Sequence, residues 1–488
     1  MKHISKILPA FSTLILGLLV VSCSYDFPPA GDEIAPLEPG QADFTRIVVL
    51  GGTEASGFMD GALHNAGQAN SFPALLVGQI NSASGDPFGF VQPDINSEDG
   101  FNPEASIGDP RGRYMVEFAD PIQPSLLFKR SVAGEALTDY QGSVPQNLSI
   151  PGIRLADVLS TDLNDNPYYA RLSANLNEPT LLDEAIAAQP TLIILALGTQ
   201  DILSFAANGL IGNRNPVPPS IDDIDLTPRD FFRDTYEDII NRLISETQAD
   251  ILVVNILDFS GFPFFTQLGH LAPITAGEVG AVGGFYAGYN NAVRVYNTSG
   301  QGLRPDLDFF GDDPPSLWAV VVEDDSLDDV MQPDGSMLPK WRQMAPGESL
   351  LWSVRELPNA SGSGFGTFLP IDKQFYFRAG DEEEVSSIIN EYNQVISDIA
   401  NTSNRIFYFD AQRTINATFE DDFRFNGALL TPDLRRTGIF SADGITLNRR
   451  GKALLTNDLI NFINTEFDAN IPTLNINDFP GNEFVNGF

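Results

Sequence analysis

The segment "RIVVLGGTEASGF", residues 46–58, decides the predicted fold. Its residues 47–50 are all apolar, and the pair Gly51-Gly52 ends the run. A short apolar run that stops at a turn signal is typical of a strand buried on both faces of a parallel sheet. In α/β proteins, functional side chains follow the carboxyl ends of such strands. Thr53 is therefore the first candidate functional residue, and the question is whether its hydroxyl is a nucleophile.

Other segments repeat this pattern along the chain. Apolar runs predict further buried strands: "TLIILALG" at 191–198, "DILVVNIL" at 250–257, "RIFYFDA" at 405–411 and, more weakly, "NLSIPG" at 147–152. Apolar residues at helical spacing predict helices that begin near Pro228, Asp381 and Arg450. The alternation predicts an α/β fold with a parallel sheet covered on both sides. Two long segments rich in Gly and acidic residues, about 80–145 and 260–380, interrupt it as large insertions.

The composition is that of a globular and strongly acidic protein. The chain has 488 residues, of which 43% are hydrophobic, and its formal net charge is -37. A surface of that charge repels phosphate groups, so we predict no nucleic-acid partner. Cys and His do not cluster as zinc ligands do, and "DLNDNP" at 162–167 lacks the Gly and Glu of a calcium loop. We therefore predict no metal and no cofactor.

The first 23 residues have the layout of a secretory signal: a basic start, a short apolar stretch and a small residue before Cys23. Cys23 is the only cysteine of the chain. This ending resembles the lipobox of bacterial lipoproteins, which implies that Cys23 is lipidated and tethers the protein to a membrane. We predict a signal peptide at 1–23, a flexible tether at 24–43 and one folded domain at 44–488. The resemblance implies a lipid-anchored protein of the cell envelope, at the periplasmic or surface face of the outer membrane.

Four short blocks resemble a known family. They are "GGT" at 51–53, "PG" at 151–152, "GTQD" at 198–201 and "DGIT" at 443–446, and their order and spacing resemble those of the SGNH (GDSL-type) hydrolases. Flanking stretches such as "NILDFSGFPFFT" and "DANIPTLNINDFPG" resemble the large SGNH-type lipoproteins of Bacteroidota. The resemblance covers nearly the whole mature chain. It implies a three-layer α/β/α flavodoxin-like fold and ester hydrolysis by a Ser nucleophile, a His base oriented by Asp, and an oxyanion hole that includes a Gly amide and an Asn side chain.

The family's functional residues are largely replaced in this chain. Thr53 occupies the Ser position, Gly152 matches the oxyanion Gly, and Gln200 occupies the Asn position. Asp443 matches the triad Asp, whereas Thr446 occupies the His position. A Thr hydroxyl does not accept a proton near neutral pH, and the loss of a triad member removes most of the catalysis. Of the four residues that name the family, only the Gly is retained.

Two functions follow from these replacements. The first is a non-catalytic lipoprotein that binds a lipid, ester or glycan, or an outer-membrane protein partner. The alternative is an active esterase or acylhydrolase that uses Thr53 as nucleophile with a non-standard base. His64 and His270 are the histidines outside the signal segment, and the pattern around each favours a surface or loop position.

Overall fold

The segment around residues 46–58 forms a buried strand, a glycine turn and the start of a helix, as predicted.

A computed structural model of the chain describes residues 35–101, 112–118, 126–130, 145–163, 166, 168–172, 179–274, 276–300, 302–309, 316–356 and 366–482. The strands are β1 Ile47–Gly51, β2 Tyr114–Phe118, β3 Leu126–Arg130, β4 Leu192–Ala196, β5 Asp250–Val254, β6 Leu268–Gly269, β7 Leu271–Ile274, β8 Ser316–Ala319, β9 Val321–Glu323, β10 Trp341–Gln343, β11 Ser349–Leu350, β12 Tyr376–Phe377, β13 Ile406–Phe409, β14 Arg424–Phe425 and β15 Ala428–Leu429. The α-helices are α1 Thr53–Ser56, α2 Asn65–Ala69, α3 Phe72–Ala83, α4 Leu181–Ala187, α5 Thr199–Ala207, α6 Arg229–Glu246, α7 Pro263–Thr266, α8 Ala276–Thr298, α9 Asp381–Ala400, α10 Gln412–Ala417 and α11 Arg449–Phe467.

The central element is a parallel sheet of four strands in the order β1-β4-β5-β13. Every residue of β1 is buried, on both faces of the strand. Burial on both faces explains why the strands are apolar throughout rather than at alternate positions. The weaker fifth segment lies parallel to β1 with one bridge, between Val49 and Asn147, and forms no regular strand. Its Leu148 and Ile150 amides donate to the Val49 and Gly51 carbonyls at 2.8 and 3.0 Å. The protein is thus of the mixed α/β class.

The helices that cover the sheet follow the predicted apolar spacing. α3 packs against α11, and α6 packs against α9. α9 and α11 begin within one residue of the predicted positions. Pro228 is the residue before α6 rather than its first residue, and its fixed φ angle suits this position. The buried faces of these helices join the strands in one large hydrophobic core.

The second large insertion carries structure of its own. Its longest element, α8, contributes Tyr286 and Tyr289 to a separate apolar cluster with Phe309 and Trp318. Short antiparallel pairs, such as β7 with β8 and β9 with β10, surround this cluster. The insertion therefore has its own small core, as its length requires.

Residues 37–482 belong to one compact unit, Leu37–Phe488. Part of the predicted tether already contacts this unit, because the Leu37 amide donates to the Ala83 carbonyl at 2.8 Å and the Gln41 amide donates to the Phe467 carbonyl at 2.7 Å. The signal segment and Cys23 lie outside the described residues. Among the described helices, none has the combined length and apolar character that a membrane span needs.

Candidate active site

Thr53 lies where the sequence places it, at the first position of α1 directly after β1. Gly51 permits the tight turn, because a Cβ atom there would come within 2.5 Å of the Ala55 Cβ. Gly152 has a φ of +73°, a conformation that glycine adopts without strain. Its amide donates a hydrogen bond to the Thr53 Oγ1 at 3.1 Å. The amide that the resemblance assigns to the oxyanion hole therefore bonds the Thr53 hydroxyl itself.

Gln200 lies in the first turn of α5, after β4 and the left-handed residue Gly198. Its Nε2 atom donates to the Ser204 Oγ at 3.0 Å, and the same Ser204 hydroxyl donates to the Gln200 carbonyl at 2.7 Å. These bonds hold the Gln200 amide against its own helix. An oxyanion donor must be aimed at the reacting carbonyl, so the Gln200 amide is not placed for that role in this conformation.

Asp443 and Thr446 form the most tightly bonded part of the site. The Thr446 hydroxyl donates to the Asp443 Oδ2 at 2.7 Å and lies 2.9 Å from the Ser441 Oγ. The other Asp443 oxygen, Oδ1, accepts the amides of Ile445 and Thr446 at 2.9 and 2.8 Å. Oδ2 also accepts the Gly61 amide at 2.9 Å. Asp443 thus organises its own loop and connects it to the chain segment that follows α1.

One narrow cavity of about 70 Å³ connects the family positions. Thr53, Gln200 and Thr446 all line it, together with Glu54. The remaining walls are mostly apolar and include Phe72, Ile153, Leu203, Leu257, Phe262 and Ile445. Apolar walls with a few convergent polar groups are typical of small-molecule sites. The tertiary structure therefore brings the predicted positions to one cavity, with Asp443 behind Thr446 and Gly152 bonded to Thr53.

The sequence did not predict a pair of charged residues beside this cavity, the half-buried Glu54 and the buried Lys452. Glu54 is the residue after Thr53, and its Oε1 accepts the Leu447 amide at 2.9 Å. Its Oε2 is shielded from solvent and has no hydrogen-bond partner among the residues that the structure describes. Burial raises the pKa of Glu54 to about 7, against the opposing effect of the Lys452 ammonium. Lys452 is fully buried in α11, donates to the Phe58 carbonyl at 2.8 Å and has a pKa lowered by burial.

Asp60 and His64 extend this buried polar cluster, which comprises Glu54, Asp60, His64, Asp443 and Lys452. The Asp60 Oδ1 accepts the Ala442 amide at 2.9 Å, and burial raises the pKa of Asp60 to about 6. His64 lies in a loop, one of the two predicted positions, but it is fully buried rather than exposed. Its Nδ1 accepts the Gly67 amide, and burial lowers its pKa to about 3, so the ring is neutral. The 3.6 Å contact between His64 and Asp60 is therefore no ion pair at neutral pH.

A single signal in the sequence points to this cluster. Glu54 stands in a helix turn that follows a fully apolar strand, where an acidic side chain has little access to water. Its partner Lys452 lies almost four hundred positions later, in an amphipathic helix. A Lys in such a helix is normally predicted to be exposed to solvent. Only the packing of α11 against α3 and the segment after β1 brings the two together, and there Lys452 donates to the Phe58 carbonyl.

Neither a scan against models of protein families nor a search of curated proteins found a match to this chain. The function is therefore argued from the contacts of the site.

The Glu54→Gln substitution should change how stability depends on pH. The folded protein binds a proton at Glu54 more tightly than the unfolded chain, so the contribution of Glu54 to stability is present at acid pH and is lost as pH rises through about 7. We expect the free energy of unfolding of Glu54→Gln, relative to wild type, to increase by about 2–3 kcal/mol between pH 5 and pH 8. Denaturant titrations of both proteins at each pH measure this difference in unfolding free energy. A difference that is constant with pH would show that Glu54 keeps an ordinary pKa.

Proposed function

We propose that the protein is an SGNH-hydrolase-like lipoprotein of the cell envelope that binds a ligand in its former active-site cavity and does not hydrolyse esters. The parallel bridge between Val49 and Asn147 places the 147–150 segment outside β1. If it is counted as a strand, the spatial order is 2-1-3-4-5, the order of flavodoxin-like folds. That order supports a flavodoxin-like α/β/α fold of the SGNH type.

The observation that carries the proposal is the bonding of Thr446. Its hydroxyl donates to Asp443 and cannot act as a base near neutral pH. Of the three histidines in the chain, His64 and His270 are described, and neither lines the cavity. A Thr nucleophile needs an adjacent base to take its proton. Within the described residues, no imidazole is placed to do so.

The walls of the cavity favour an aliphatic ligand over a glycan. Sugars are bound through many polar contacts, whereas this cavity is lined mainly by Leu, Ile, Val and Phe side chains. A lipid or the acyl part of an ester suits such walls, since burial of apolar surface supplies most of the affinity. Lipidation of Cys23 would hold the cavity close to a membrane, within reach of lipids or of an outer-membrane protein partner.

Blocking the cavity should abolish binding without changing the fold. Leu203 lies on α5 and forms part of the wall, so Leu203→Trp places an indole in the cavity. We expect at least about tenfold weaker binding of ethyl acetate, because the indole fills the space that the ester would occupy. The matched control is Leu303→Trp, at a position that is 88% exposed. Isothermal titration calorimetry measures the affinity, and chromatography of the same samples shows whether the ester stays intact.

Two results would contradict the proposal. If wild type binds neither ethyl acetate nor other short aliphatic esters, the cavity is not a ligand site. If wild type hydrolyses the ester and Thr53→Ala abolishes the reaction, the protein is an esterase that uses Thr53, which is the alternative function.

A further inference from the structure

A second and much larger depression lies at the carboxyl ends of β5 and β13. This groove has a volume of about 720 Å³, within the range of small-molecule sites. Residues of α9 between 390 and 397 and residues 412–420, from α10 and the turn after it, line the groove. Asn255 lines both the groove and the cavity, so the two are neighbours. The groove therefore lies at the edge of the sheet where open α/β folds bind their ligands.

Carboxamide side chains dominate the lining of the groove. Asn and Gln make up about a tenth of the chain but half of the lining residues, namely Asn255, Asn390, Asn393, Gln394, Gln412 and Asn416. A carboxamide both donates and accepts hydrogen bonds, as does a sugar hydroxyl. Ser397 and Tyr408 add hydroxyl groups to the lining. Burial raises the pKa of Tyr408, so its hydroxyl keeps its proton.

The buried part of this lining is held in place by hydrogen bonds. The Asn393 side chain accepts the Ile256 amide at 2.7 Å and donates to the Ile256 carbonyl at 2.8 Å. The Asn255 side chain donates to the Asp410 Oδ1 at 2.7 Å and accepts the Ala411 amide at 2.8 Å. Both carboxamides are buried and form a fixed floor. A fixed floor lowers the entropy cost of binding a ligand.

The charges of the groove disfavour an ionic ligand. Asp410 and Glu420 face one cation of the lining, Arg413. An anion would meet the two carboxylates in a protein of net charge -37. A cation would meet the Arg413 guanidinium, and one Asp410 oxygen is already bonded to Asn255. A neutral ligand with many hydroxyl groups meets neither cost.

We propose that this groove binds a neutral oligosaccharide. Asn390 on α9 and Asn416 on α10 are exposed, and their carboxamides have no hydrogen-bond partner within the described part of the chain. They bond the sugar hydroxyls from two sides of the groove, above the floor of Asn255 and Asn393. This inference does not rest on the proposed function, because it assigns a different site and a different class of ligand.

The test uses the purified mature protein and a panel of neutral tetrasaccharides built from glucose, mannose, xylose or N-acetylglucosamine. Tetragalacturonate is the anionic probe and spermine is the cationic probe. Isothermal titration calorimetry should give a Kd below about 1 mM for at least one neutral sugar. The double variant Asn390→Ala/Asn416→Ala should bind that sugar about tenfold more weakly, since two hydrogen bonds are lost. The matched control Asn241→Ala/Asn461→Ala, at exposed positions of α6 and α11, should bind it like wild type.

Several outcomes would overturn the inference. If no neutral sugar binds to wild type, or if tetragalacturonate or spermine binds more tightly, the ligand class is wrong. If the double variant binds like wild type, the sugar does not occupy the groove. Leu203→Trp should leave sugar binding unchanged, and a loss there would place the sugar in the cavity instead. Binding of ethyl acetate by the same samples tests the proposed function separately, and circular dichroism checks that each variant is folded.

Discussion

The Asp443→Ala variant is expected to lose about 3–5 kcal/mol of unfolding free energy, since several buried donors lose their acceptor at once. Asp443 accepts the amides of Gly61, Ile445 and Thr446 and the Thr446 hydroxyl, all at 2.7–2.9 Å. In a working hydrolase the corresponding Asp orients a histidine, so its loss mainly affects catalysis. Here its bonds connect two loops beside the cavity, and its loss should mainly affect stability. Denaturant titration at pH 7 measures the change.

Two control variants test whether the loss of stability comes from the hydrogen bonds of Asp443. Asp443→Asn keeps a carbonyl oxygen that can accept the Ile445 and Thr446 amides, and should cost about half as much. Asp238→Ala removes a carboxylate from an exposed position of α6 and should change stability by no more than about 0.5 kcal/mol. If Asp443→Ala is as stable as Asp238→Ala, Asp443 has no structural role.

If the proposed function holds, introducing the residues of the SGNH pattern is expected to create esterase activity well above that of wild type. The variant combines Thr53→Ser, Gln200→Asn and Thr446→His. All three positions line one cavity, and the Asp443 Oδ2 already bonds the side chain at position 446. The Gly152 amide already bonds the hydroxyl at position 53. We expect hydrolysis of short acyl esters at least about 100-fold above the wild-type rate, because a nucleophile, base and orienting carboxylate are restored together.

The matched control for this variant carries Thr53→Ala with the same changes at 200 and 446. It should show no activity above wild type and should not react with a covalent serine-hydrolase probe, whereas the restored variant should be labelled. Position 446 is 2% exposed, so the folding of both variants is checked by circular dichroism. A folded restored variant that neither hydrolyses nor reacts would mean that the walls of the cavity no longer fit an ester in reactive geometry.

The strands show how far local sequence determines the fold. Residues 47–50 are apolar, β-branched or leucine and end at two glycines, and they form β1 as predicted. The apolar run at 250–257 is longer than the strand it predicts, since β5 ends at Val254 and the Asn255 side chain accepts the Ala411 amide. The segment at 147–152 was predicted as a strand but forms one bridge. An edge segment has a neighbour on one side only, and a local pattern does not show how many bonds that neighbour supplies.

The sequence by itself determined the α/β class and indicated Thr53, Gly152, Gln200, Asp443 and Thr446 as candidate site residues, with a Thr where the resemblance implies a His. These follow from local patterns and short motifs, whose information lies within a few residues. Only the tertiary structure decided that Thr446 bonds Asp443, that Gln200 bonds its own helix and that Glu54 lies near Lys452 in a buried cluster. The pKa of Glu54 depends on how much water the packing excludes and on which charges it brings near. Both are set by contacts between residues hundreds of positions apart, and no local pattern in the sequence encodes them.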